Sequence, residues 1–346
     1  MGLPEIFIAF QTAAVSAITR SARGAVALVL SDATEGGEKS RTYQSLAEVD
    51  KSAFTAENYR LLSLCFLAGP TKVTVLRAGE DSTADFAALE RIKFDWLAAP
   101  GLDDTEVISF TKSQRDKGRG IKAVVAGADG PDCEGIVNLT ASGLVLSDGA
   151  IEARDYTVRI AGLLAALPLT RSATYADLSE VVSCETVDDP DAAIDGGKLI
   201  IVRGADCYRL GRAVNSLTTL TVDKAAPFQK IKIVEGIDLI RTDIASTFES
   251  GYIGKVLNDY DNKLLLVTAI NAYIRQLEGD VLDKTAENLC EISLEGQRTY
   301  LQSIGTDTTD LTDMEILKAN TGSQVFLEAH LTFCDAMEDL SLKISM

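Results

Sequence analysis

Ala25-Val26-Ala27-Leu28-Val29-Leu30 is the stretch on which the fold turns. Six consecutive apolar residues are too few for a buried helix and read as a core strand. Downstream, a helix is expected from about Ala56 to Ala68, a break at Gly69-Pro70, and a strand from Lys72 to Arg77. A helix at 83–92, a strand at 94–97, a helix near 104–117 and strands at 121–125 and 136–140 continue the alternation. Strands separated by helical stretches predict crossover units, hence an α/β class with a mostly parallel sheet core flanked by helices. Residues 153–167 repeat apolar side chains around a helix, and 198–203 with 206–210 read as a hairpin around Gly204-Ala205-Asp206. Upstream of the first strand, residues 3–10 are short, apolar and extended in pattern (Ile6, Phe7, Ile8, Phe10), and an Ala/Ser/Thr-rich stretch at 12–19 separates them from the core. They read as an arm.

The second half carries two long helical patterns. Ile233, Ile237, Ile240, Ile244 and Phe248 recur at spacings of four, three, four and four, the stripe of an amphipathic helix. Residues 262–278 are apolar on most sides (Leu264, Leu265, Leu266, Val267, Ile270, Ile274, Leu277), which predicts deep burial. At the end, Val325, Leu327, Ala329, Leu331 and Phe333 alternate with other residues, as do Leu340, Leu342, Ile344 and Met346. This period-two pattern reaches the last residue. A strand with an apolar face there needs a partner sheet, its own or a neighbour's.

With 46% apolar and 24% charged residues the chain has the composition of a folded protein, and 346 residues suffice for one large or two modest domains. Its formal net charge of −18 disfavours nucleic acid and anionic membrane surfaces, both of which are bound through clustered Lys and Arg. Lys112, Arg115, Lys117, Arg119 and Lys122 form the local exception, expected to be a solvated loop or helix end, or else a docking patch for an acidic partner. Six cysteines at 65, 133, 184, 207, 290 and 334 show no CxxC pair and read as reduced thiols. The N-terminus lacks a positive n-region, Ile6 stands where a myristoylation signal takes Ser or Thr, and the longest apolar run, Ile160 to Leu169, is about half the ~20 residues of a membrane span. Neither secretion nor membrane insertion is expected.

Chemistry-bearing constellations are sparse. One histidine, His330, cannot by itself supply a Ser-His-Asp or multi-histidine metal site and is expected to be structural or on the surface. Gly196-Gly197-Lys198 is followed by Leu199 and lacks the upstream glycine of a phosphate loop. Asp188, Asp189, Asp191 and Asp195 lack the alternate spacing of a calcium loop and read as an acidic turn or helix start. No catalytic, cofactor-binding or metal residue is assigned. The competing class is an enzyme on a doubly wound α/β fold, using an acid pair or a thiol such as Cys133.

Several segments carry a resemblance in order and spacing. They are Gly2-Leu3-Pro4, Thr19 to Gly24, Gly69 to Val75, Cys133 to Asn138, Pro168 to Tyr175, Gly211 to Leu220, Tyr260 to Lys263, Ala319 to Ser323, and Asp335 through Leu340 to Met346. Together they resemble the tail sheath proteins of contractile phages, in particular the short PBSX-like type. The resemblance implies an α/β core with a C-terminal α+β region, and terminal strands exchanged between subunits. It implies an arm over 1–20, a sheath core over 21–225 and a C-terminal domain over 226–346. Ile6, Ile8, Phe10, Leu340, Leu342, Ile344 and Met346 are then the strand-exchange residues. The implied partners are other copies in a helical homopolymer of stacked hexameric rings, an inner tail tube, and baseplate and tail terminator proteins. Assembly in the bacterial host cytoplasm and release in a virion or tail-like particle are implied as well; a headless bacteriocin is the variant within the class.

Overall fold

The computed structural model describes residues 17–34, 37–79 and 81–346. They divide into two compact units, residues 21–242 with 333–346, and residues 243–332 with 17–20. In chain order the elements are β1 (Ala25–Leu30), β2 (Ser40–Tyr43), α1 (Ala56–Phe66), β3 (Lys72–Arg77), α2 (Ser82–Glu90), β4 (Trp96–Ala98), α3 (Asp104–Asp116), β5 (Lys122–Ala126), β6 (Ile136–Thr140), β7 (Val145–Leu146), β8 (Gly149–Ala150), α4 (Ala153–Ala166), β9 (Asp177–Leu178), β10 (Val181–Ser183), α5 (Pro190–Asp195), β11 (Lys198–Arg203) and β12 (Tyr208–Leu210). Then follow α6 (Ile231–Gly251), α7 (Tyr260–Leu277), β13 (Leu289–Ile292), α8 (Leu294–Ser303), α9 (Asp313–Lys318) and β14 (Leu327–His330).

In the first unit, nine strands form one sheet in the order β2-β3-β1-β4-β5-β6-β11-β12-β9. The six from β3 to β11 pair in parallel, while β2, β12 and β9 pair antiparallel at the two ends. All six residues of β1 are buried, because successive side chains point to opposite faces and both faces are covered. Val26, Leu28 and Leu30 join a cluster with Leu62 of α1 and Ile160 of α4. Ala25, Ala27 and Val29 join another with Leu89 of α2 and Phe110 of α3. The parallel, helix-covered sheet expected from the alternation is present, and the expected 198–203/206–210 hairpin is β11 and β12.

Local chemistry sets the helix starts. Thr55, Asp81 and Asp103 accept backbone N–H groups at the first turns of α1, α2 and α3. Asp189 does so for α5, with Pro190 at its first turn, so the acidic cluster at 188–195 is a helix start. Helices α1 and α4 cross closely at Gly162, where a Cβ would lie 2.1 Å from the Cys65 carbonyl oxygen. Gly197, at φ +71°, turns the chain from α5 into β11.

The second unit contains α7, α8, α9 and the antiparallel pair β13–β14. The expectation that α7 is buried on most sides is corrected: Leu266, Ile270, Ile274 and Leu277 are buried, but Leu264 and Leu265 are exposed. A two-stranded sheet covers one helix face and leaves the opposite one open.

Candidate assembly site

Leu340 to Met346 were expected to form a strand in a sheet of their own subunit or of a neighbour. In the single chain they form none. No strand is assigned beyond His330, and Leu340, Leu342, Ile344 and Met346 are 90, 73, 76 and 120% exposed. Residues 340–346 make no hydrogen bond or ion pair with any described residue. The alternation is intact, but a strand exists only where a second edge supplies N–H and C=O partners, and residues 340–346 pair with no edge among the described residues. The other expected exchange residues, Ile6, Ile8 and Phe10, lie outside the described residues.

Immediately before this free segment the chain is held by charge. Lys232 donates to the carbonyl of Cys334, and Lys230 pairs with Asp335. The Glu338 carboxylate, with its side chain only 6% exposed, sits in a cradle. Its Oε1 accepts from Ser172 Oγ at 3.0 Å and Thr174 Oγ1 at 2.6 Å. Its Oε2 lies 3.4 Å from both Lys230 Nζ and Arg212 Nη1. Arg212 Nη2 donates to Asp339 at 2.6 Å. This hydrogen bond holds the Asp339 carboxyl below the ordinary carboxylate range and raises the Arg212 guanidinium. Thr174 is itself fixed by accepting from the backbone N–H of Ala213 at 2.9 Å. Residue-by-residue reading did not find this cradle. Apart from Lys230, its parts come from three of the segments that carried the family resemblance, 168–175, 211–220 and 335–346, and only folding brings them together.

Two other such segments meet in the second unit. Asp259 caps α7 by accepting from the Asn262 N–H, and Lys263 Nζ, buried, donates to Gln297 Oε1 at 2.6 Å and Thr321 Oγ1 at 3.0 Å. Burial pushes this ammonium below the usual lysine range. Asn258 Nδ2 donates to the carbonyls of Gly322 and Gln324 at 2.8 and 2.9 Å. The segments 260–263 and 319–323 thus tie α7 to the loop that leads into β14.

The basic stretch at 112–122 is corrected in part. Arg115 and Lys122 are interior charges. Arg115 Nη1 and Nη2 reach Asp238 at 2.8 and 3.1 Å, and Nη2 also reaches Glu134 at 3.1 Å. Lys122 Nζ lies 3.1 Å from Glu235 and 3.3 Å from Asp238. Burial would raise the Asp238 carboxyl, but Lys122 and Arg115 outweigh it and hold it low. Lys117 and Arg119 stay outward, bonded to the Glu90 carboxylate and carbonyl. Cys133, the thiol considered for a nucleophile, is buried, and burial raises it, the opposite of an activated thiolate. His330 is exposed at the end of β14, opposite Leu289. Among the described residues no group of three or more His, Cys, Asp or Glu is placed to hold a metal ion, and no helix is long and apolar enough to cross a membrane.

Residues 77–216 match the family of the phage tail sheath protein central domain, and residues 223–346 that of the phage tail sheath C-terminal domain. A tail sheath protein of Clostridium phage phiCD119 is 34% identical over 364 residues, covering 100% of this chain and 99% of that protein. The phage-like element PBSX protein XkdK of Bacillus subtilis is 30% identical over 175 residues, 47% of this chain and 37% of XkdK. In fold, the anti-feeding prophage helical sheath in its contracted state superposes with a TM-score of 0.74 at 14% identity, covering 100% of this chain and 99% of that one. The chain belongs to the phage tail sheath family.

Proposed function

We propose that this chain polymerises into the contractile sheath around an inner tail tube and shortens to drive that tube through a bacterial envelope, without catalysis. The observation that carries the reading is the full-length relationship to a phage tail sheath protein. The exposed, alternating apolar segment 340–346 adds support, because it is the form a donated strand takes before it finds an edge. Leu340, Leu342, Ile344 and Met346, and by the same reasoning Ile6, Ile8 and Phe10, are the proposed exchange residues. Residues 1–20, 21–225 and 226–346 are the proposed arm, sheath core and C-terminal domain.

Head-to-tail donation that does not close builds a helical tube, which fits stacked hexameric rings. Contraction needs two packings of the same subunits, exchanged as rigid bodies while the arms keep the lattice connected. The driving free energy is added burial between subunits, not nucleotide hydrolysis. Partners beyond other copies are the inner tube, baseplate and terminator; no cofactor or nucleic acid enters the scheme. The proposed site of assembly is the bacterial host cytoplasm. Electron microscopy of the purified protein tests the reading: long tubes are expected, and dispersed particles under all polymerising conditions would refute it.

A further inference from the structure

The segment 335–346 changes character at one residue. Met337 and Leu340 are fully or nearly fully exposed, yet the Glu338 side chain between them is enclosed by two hydroxyls and two cations. All four groups come from loops more than 100 residues before Glu338, and the Thr174 hydroxyl is pre-set by accepting from the Ala213 backbone N–H. A carboxylate that accepts two hydroxyl protons and faces two cations is held by charge-assisted bonds, which are stronger and more directional than neutral ones. Such a site is more than an exposed surface pair requires.

We propose that Glu338 is a positioning residue which fixes where the C-terminal arm leaves its own subunit, so that the segment reaching a second copy of this chain begins at Leu340. The inference rests on the strand-donation reading above. With the cradle closed, seven residues are free, and they reach about 23–25 Å at ~3.3–3.6 Å each. With it open, Asp339 keeps only its exposed pair with Arg212, which is worth little; once that pair parts as well, the last hold is Lys230 on Asp335, the free segment grows to eleven residues, and the reach rises to about 36–40 Å. Effective concentration at a fixed target falls roughly as the 3/2 power of tether length, so opening the cradle lowers it about two-fold through length alone. The larger consequence is geometric. A short, directed arm specifies one spacing between subunits, and a longer swivelling one admits several.

The test uses the full-length chain, with E338A, E338Q and D339R beside it. Unpolymerised E338A and E338Q are expected to melt as the parent does, because the cradle holds only the tail. Their polymerisation should slow at least two-fold, and cryo-electron microscopy of the tubes should find a spread of helical rise and twist in place of one value. D339R, which sets a third cation against Arg212 and Lys230, should behave likewise. Parental rate, rise and twist in E338A overturn the positioning role, as does a melting temperature that falls in step with assembly. A chain ending at Asp339 separates the two proposals: if it forms normal tubes, strand donation itself fails, whereas blocked assembly with an unchanged E338A lattice removes only the cradle.

Discussion

Deleting Leu340 to Met346 should separate folding from assembly. In the single chain the four alternating apolar side chains are 73 to 120% exposed, so their removal takes away almost no burial. Surface changes of this kind shift stability by about 0.5 kcal/mol or less, which is about 1–2 °C in a domain of this size. In a neighbour's sheet the same side chains would each contribute about 1.5–3 kcal/mol, and each ladder hydrogen bond about 0.5–1.5 kcal/mol more. Ordering seven residues costs about 1–2 kcal/mol apiece, leaving a surplus on the order of a few kcal/mol per subunit. One damaged anchor is then enough. Ile344→Glu, which places a charge where an aliphatic side chain should be buried, ought to abolish tubes as completely as the deletion does. Differential scanning fluorimetry reads the fold, and sedimentation with negative-stain microscopy reads assembly. Normal tubes from either variant would refute the reasoning, and a melting temperature lowered by more than about 5 °C would place the segment in its own subunit's core.

Three further outcomes are expected. Arg115→Ala leaves the buried Asp238 with only Lys122 and Glu134 with only Lys224 and should cost up to about 3–5 kcal/mol, measured by chemical denaturation, whereas Lys117→Ala on the exposed side of the same stretch should cost under about 1 kcal/mol. Burial pushes the Asp32 carboxyl up, but hydrogen bonds from Asn58, Thr34 and Thr55 dominate and hold it at about 2. A depressed carboxylate stabilises the fold above its unfolded value of 3.8 and loses that contribution as pH falls toward 2, so Asp32→Ala should cost about 2 kcal/mol at neutral pH and little at pH 2 in pH-dependent thermal melts. Gly162→Leu should drive α1 and α4 apart against the Cys65 carbonyl, with calorimetry showing a loss of at least about 3 kcal/mol or no folded protein.

Local and periodic signals were legible wherever burial or capping acts over a few residues. The six-residue run of β1 reads as a core strand because both of its faces are covered, and the starts of α1, α3 and α5 sit at Thr55, Asp103 and Asp189, where a side chain satisfies a free N–H. The ordered segments that carry the family resemblance were visible too, although not what several of them do. Pairing across distance was hidden. Strand β2, Ser40–Tyr43, is mostly exposed, lacks an apolar run, and exists because it hydrogen-bonds to β3. Arg115 and Lys122 read as solvated charges because the acids that neutralise them, Glu134, Glu235 and Asp238, lie up to 123 residues away. Glu338 meets Ser172, Thr174, Arg212 and Lys230 only in the folded chain. The sequence by itself determined the α/β class and the alternating face of residues 340–346. The tertiary structure decided that this face has no partner among the described residues, because a strand is completed by hydrogen bonds to another edge and periodicity says nothing about where that edge is.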